Sequence, residues 1–249
     1  MNTHTTHTTT LVIAQVLLLL LLLSSSTVAR SQRRRPPSGG RPAVVVDERL
    51  SALRDTPNLA GKLLQRISRG RLVAIVARKT SADGIVFYRV KVTRRTQGWM
   101  QKEAVLSPTI AADDEALLRL IRASQDFDRL ARAQIFLDSF RGSRFRPEVL
   151  LLFAESAEGA AAKLSRDAAR RLDQEEITTA AAPEFSYFLN YNGLDRYNRQ
   201  GVRFIFDRTT KQFHYNGTAW REILKRYPHT AAAVEARKRL EALATWARQ

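Results

Sequence analysis

Across residues 44–107 short apolar segments alternate with polar ones, and Gly61, Gly70, Gly84 and Gly98 separate them. Tight reversals need residues that tolerate positive φ, so this spacing predicts a chain that repeatedly turns back and pairs with itself. The strand candidates are residues 44–46, 62–67, 72–78, 85–92 and 98–100. Short strands packed into about 60 residues suit a small closed β-barrel, which removes exposed sheet edges by closure.

Beyond Ser107 and Pro108 the apolar period changes from that of a strand to that of a helix. Ala116, Leu117, Leu120 and Ile121 fall on one helical face, and so do Phe127, Leu130, Ala133, Leu137 and Phe140. Ser143 is placed to cap the next helix, with Pro147 in its first turn. Residues 149–154 are apolar all round, which predicts a helix buried on most sides. Gly159 is expected to weaken that helix, and residues 177–183 read as a loop.

One junction occurs twice. Phe140, Ser143 and Glu148 have counterparts at Tyr227, Thr230 and Glu235. In each, a helix ends in an aromatic residue, a hydroxyl residue caps the next helix, and a Glu follows. Trp220, Ile223, Leu224 and Tyr227 share a face of the second unit. Between the units, residues 202–206 and 212–215 predict a β-hairpin, with Asn216-Gly217 as a turn. The fold class expected is therefore α+β and multidomain. A small barrel over 43–107 precedes an all-α helical-hairpin domain over 108–249 that carries an inserted β-hairpin.

The first 29 residues hold no Lys, Arg, Asp or Glu, and residues 11–23 are apolar except for Gln15. Thirteen helical residues span about 20 Å, short of a bilayer core of about 30 Å. With the small residues of 24–29 behind them, they predict a cleaved export signal. The alternative is a retained membrane anchor. Residues 30–42, rich in Arg, Pro and Gly, read as a flexible basic linker. The whole chain carries 41 Lys and Arg against 24 Asp and Glu, a formal charge of +17, and residues 43–107 hold 13 against 5. Such a surface attracts polyanions: acidic envelope polymers, anionic lipid or nucleic acid. The chain contains no cysteine, which excludes disulfides and thiolate chemistry.

No HExxH, phosphate-binding glycine loop, Gly-x-Ser-x-Gly or zinc spacing is present, so neither a cofactor nor a metal is expected. Beyond the leader the histidines are His214, in a predicted strand, and His229, in a turn. The residues point to binding. In the barrel the candidates are Arg54, Tyr88 and Trp99, because an aromatic beside a guanidinium can stack on a sugar or peptide and hold a carboxylate. In the helical part, Asp195, Arg196, Tyr197 and Asn198 form a polar and aromatic cluster in a predicted loop, a candidate partner site. Tyr197 packing onto the helices is the competing account.

Residues 44–107 resemble the bacterial Src-homology-3-like domain family. The likeness rests on Leu53-Arg54 followed by Pro57, on Gly70 before a strand, on Phe87-Tyr88-Arg89-Val90 where the family often has Trp-Tyr-Lys-Val, and on Gly98-Trp99-Met100 where it often has Gly-Trp-Val. The helical units resemble tetratricopeptide-type hairpins, through Tyr227-Pro228-His229-Thr230 in particular. The first resemblance implies an exported protein that engages cell-wall peptides or glycans. Together they give the expectation of a non-enzymatic protein of the periplasm or envelope. It would bind wall material through the barrel and a protein or peptide through the helices. A nucleic-acid-binding protein and an accessory module of a wall-hydrolase system are the alternatives.

Overall fold

The computed structural model describes residues 37–171, 175, 179 and 182–246. The chain divides between Arg35 and Pro36, and every described residue belongs to the second unit. The leader and the first part of the basic linker lie outside the described residues, as does most of the loop expected over 177–183.

The fold is α+β. Seven strands form one sheet: β1 (Arg41–Val45), β2 (Ala52–Arg54), β3 (Leu63–Arg66), β4 (Leu72–Thr80), β5 (Val86–Lys91), β6 (Gln97–Gln101) and β7 (Val105–Leu106). Their order is β3-β2-β6-β5-β4-β1-β7, and every pairing is antiparallel. The expected closure is not found. β3 and β7 end the sheet, and β7 is only two residues long, long enough to pair with β1 alone. β2 and β7 are additional to the strands expected from the pattern; each is too short to display an alternation.

Residues 44–46 are apolar without a break because β1 lies between two cores. Side chains alternate across a strand. Ala43 and Val45 face Leu53, Val73, Val90 and Met100 inside the sheet region. Val44 and Val46 face the helices, in a core shared with Leu106, Leu117, Ile121 and Phe136. A bulge between Ile75 and Ala77 bends β4 partway along. β1 pairs with β4 only as far as Ile75, whereas β5 follows β4 to Thr80.

Among the described residues the main helices are α1 (Asp113–Arg122), α2 (Asp126–Ser139), α3 (Arg146–Arg171), α4 (Glu184–Leu189), α5 (Asp195–Arg199), α6 (Thr218–Arg226) and α7 (Ala231–Trp246). α3 runs through Gly159 without interruption. Ala157, Ala160, Ala161 and Leu164 bury around that position and outweigh the propensity cost of about 1 kcal/mol. The Ser143 hydroxyl accepts from the Phe145 amide at 3.2 Å and donates to Asp114 at 2.7 Å, and Pro147 sits in the first turn of α3. The expected hairpin is present as β8 (Phe204–Asp207) and β9 (Gln212–Tyr215), packed on α3. Gly217, at φ +76°, follows it and admits the left-handed turn that starts α6.

A buried polar junction ties the sheet to α2. The Arg132 guanidinium donates to the Ser124 hydroxyl at 2.5 Å and lies 3.7 Å from the Asp47 carboxylate. Asp47 also accepts from the backbone and side chain of Arg49, whose guanidinium holds its carboxyl below the usual carboxylate range.

Candidate functional site

The sheet register gathers two of the residues singled out above and adds a third. Trp99 on β6 stands directly opposite Arg54 on β2 and directly opposite Arg89 on β5. Opposed residues of an antiparallel pair point to the same face, so the indole lies between two guanidinium-bearing side chains. With strands about 4.8 Å apart, the two arginine backbones are about 10 Å apart across it. Leu63 on β3 extends the row beyond Arg54 and is 46% exposed. Trp99 and Arg54 are half-buried and Arg89 is exposed.

The local sequence explains the geometry. A Cβ at Gly98 would lie 2.6 Å from the Arg54 carbonyl oxygen and 2.8 Å from Leu53 Cγ, so glycine there lets β2 approach β6. Met100, fully buried, anchors β6 from inside and turns Trp99 outward by alternation. The Arg54 guanidinium donates to the Gly61 carbonyl at 2.6 Å, which fixes its direction. Among the described residues the Arg89 guanidinium has neither a hydrogen-bond nor an ion-pair partner. An indole between two arginines can stack on a sugar ring or peptide plane while a guanidinium takes a carboxylate in bidentate fashion.

Tyr88 does not join this row. One residue along β5 from Arg89, it faces the other side of the sheet, opposite Met100 and Arg78. It is 8% exposed and lines a groove of about 930 Å³ between the sheet and α1, with Arg41, Arg78, Lys102 and Asp113. Burial pushes the Tyr88 phenol up, and the Asp113 carboxylate adds to the shift. Burial also raises Asp113, against the 2.8 Å hydrogen bond it accepts from the Ser107 amide.

The cluster at Asp195–Arg199 is a short helix, not the expected loop. Leu194 and Tyr197, three residues apart, bury on one face of it and hold it down. Tyr197 is 1% exposed and meets the rings of Phe127 and Phe204 edge-on at 5.3 Å and 5.7 Å. Arg196 lies over the rings of Phe127 and Tyr197 and donates to the Tyr197 hydroxyl at 3.0 Å. Asp195, Arg196 and Asn198 remain exposed, and the aromatic member of the cluster is core.

Arg89 was missed in the sequence although it stands inside the Phe87–Val90 motif. The signal that finds it is the pairing of β5 with β6, which puts it opposite Trp99. His214 is half-buried on β9, opposite Ile205, and burial lowers its imidazole. Among the described residues no group of three or more His, Asp or Glu side chains is arranged to hold a metal ion, and no helix is long and apolar enough to cross a membrane. Compared with family models, curated proteins and solved structures, the chain finds no match.

Proposed function

We propose that this is a non-enzymatic binding protein of the cell envelope, exported behind its leader, which holds anionic wall material on the Trp99 row. In this reading residues 43–107 are a Src-homology-3-like domain. The helix pairs α2–α3 and α6–α7 are tetratricopeptide-type hairpins that offer a surface to a protein or peptide. Support for the fold comes from the β4–β5–β6 meander with β1 and β2 packed over Leu53, Val90 and Met100, and from the packing of α2 on α3 and of α6 on α7. The observation that carries the binding reading is the half-buried Trp99 indole in register between Arg54 and Arg89. Wall peptides and acidic glycans bring the matching chemistry, carboxylates beside flat or ring-shaped groups. The surrounding excess of positive charge draws such polymers in by long-range attraction.

Incubating the purified chain with isolated wall material tests this. Retention is expected to fall with rising salt and to drop on the order of tenfold for Trp99→Ala and for Arg89→Glu. Equal retention of wild type and both variants would remove the row as the site. Hydrolysis of labelled wall polymer would replace binding with catalysis. Cell fractionation with sequencing of the mature N-terminus tests export, for which cleavage near Ala29 is the expected outcome.

A further inference from the structure

Three features converge on the far side of the sheet from Trp99. The first is the groove of about 930 Å³ between the sheet and α1. Its floor is apolar: Val46, Ile75 and Leu106 come from the sheet side, and Ile110, Ala116 and Leu120 from the helix side. The volume lies in the range of sites that take a ligand of several hundred daltons.

The second is a free sheet edge. β1 stops pairing with β4 at the Arg41–Ile75 pair, and β4 runs on to Thr80 with β5 on one side only. Val76, Ala77 and Arg78, at the start of that unpaired stretch, line the groove. Backbone N–H and C=O groups along such an edge are a template for another strand.

The third is charge. Arg41, Arg78 and Lys102 border the groove, all exposed, and among the described residues none of their side chains has a hydrogen-bond or ion-pair partner. A fourth cation, Arg119, is already paired with Glu115 at 3.0 Å. Two carboxyl groups in the lining, Asp113 and Glu103, face these three cations; Asp113 accepts from the Ser107 amide and also feels the charges of Lys102 and Arg41, which leaves the border with an excess of positive charge.

We infer that this groove binds an extended acidic peptide, which adds as a strand beside β4 beyond Ile75, sets alternate apolar side chains on the groove floor and aims carboxylates at Arg41, Arg78 and Lys102. Main-chain pairing supplies affinity in this mode, and the alternate side chains supply selectivity. A free edge favours a peptide over an anionic lipid, because an acyl chain has no backbone groups to satisfy it. The chain's own linker is a poor occupant. Its Arg33-Arg34-Arg35 run has the same sign as the groove border. The site lies on the opposite face of β5 from the Trp99 row, so it stands or falls separately from wall binding.

The probe is a fluorescein-labelled heptapeptide alternating Glu or Asp with Val or Ile, titrated with the full chain and read by fluorescence anisotropy. Saturable binding is expected, weakened on the order of tenfold by Arg78→Glu or Lys102→Glu and by N-methylation of alternate peptide amides. Both substitutions are at exposed positions, and circular dichroism checks that the variants fold. Trp99→Ala should bind the probe as wild type does, which separates this site from the wall-binding row. Equal binding of a peptide with Lys in place of the acids, or of the N-methylated peptide, would overturn the proposal. So would an absence of saturation, or loss of binding in Trp99→Ala. Vesicles of anionic phospholipid that compete in an Arg78-dependent way would assign the groove to a lipid headgroup and overturn the peptide.

Discussion

Arginine stands beside an aromatic residue in both halves of this molecule, by strand register in one and in direct contact in the other, with opposite results. On the sheet, Trp99 stands half-buried between Arg54 and Arg89, with its ring open and the Arg89 guanidinium uncommitted. In the helical half, Arg196 is next to Tyr197 in sequence and lies over its ring, yet that ring is 1% exposed and is sealed by Phe127 and Phe204. The guanidinium there covers a core instead of awaiting a ligand. Adjacency of the two residue types says little until burial is known. A strand pairs residues that are distant in sequence and leaves one face outward, whereas a short helix hands its apolar face to whatever it packs on.

The contrast can be broken by substitution, and the largest effect belongs to the helical half. Tyr197→Ala is expected to lose about 3–5 kcal/mol of stability in urea denaturation, with wall retention of the folded fraction unchanged. Trp99→Ala should do the reverse, moving stability by about 1 kcal/mol or less while losing retention. If Tyr197→Ala left stability intact, the account of it as core would fail. Next in size is Arg132→Ala, expected to cost about 2 kcal/mol because it strips a partner from Ser124 and from Asp47 in a buried junction, while Arg49 still compensates Asp47. An equally stable Arg132→Ala would mean that the Arg132 junction adds nothing net to the hold between the sheet and α2, leaving apolar packing and the Arg69–Asp128 pair at 2.8 Å.

Gly98→Ala sharpens the sheet side. The new methyl group would meet the Arg54 carbonyl and Leu53, so a cost of about 1–3 kcal/mol is expected, together with weaker wall retention as β2 and Arg54 shift away from Trp99. Retention unchanged in a destabilised variant would show that the spacing of the row is not critical. The smallest effect concerns His214. Burial holds its imidazole below the ordinary value of 6.5, with Asp207 acting weakly the other way. The unfolded chain therefore takes the proton first. The His214 contribution is complete above about pH 6.5 and is lost as pH falls through the lower folded value. Melting curves between about pH 7.5 and 5.5 should show a shallower decline for His214→Gln than for wild type, and identical slopes would remove His214 from the account.

Much of the architecture was legible. Strong periodicity marked α1 and α2, because a stripe facing a core leaves its 3.6-residue signature in the sequence. Hairpin β8–β9 was marked by its flanking turn residues. The junction at Phe140 was marked by capping chemistry, and the Ser143 hydroxyl accepts from the Phe145 amide just ahead of α3; after Tyr227 the Thr230 hydroxyl instead donates back to the Tyr227 carbonyl at 2.8 Å. The short strands β2 and β7 left no trace, since two or three residues cannot display alternation. The helix at Asp195–Arg199 was hidden for a related reason: a single turn is held by the burial of Leu194 and Tyr197, not by propensity.

By itself the sequence determined an α+β chain with a strand-rich first part, a helical second part and a strong excess of positive charge, because period and composition are properties of neighbours along the chain. It also supplied Arg54, Tyr88 and Trp99 as residue types suited to binding. Only the tertiary structure decided which of them act together. Strand register put Arg54 and Arg89 on either side of Trp99 and sent Tyr88 to the opposite face, since a shift of one residue along a strand reverses the direction of a side chain.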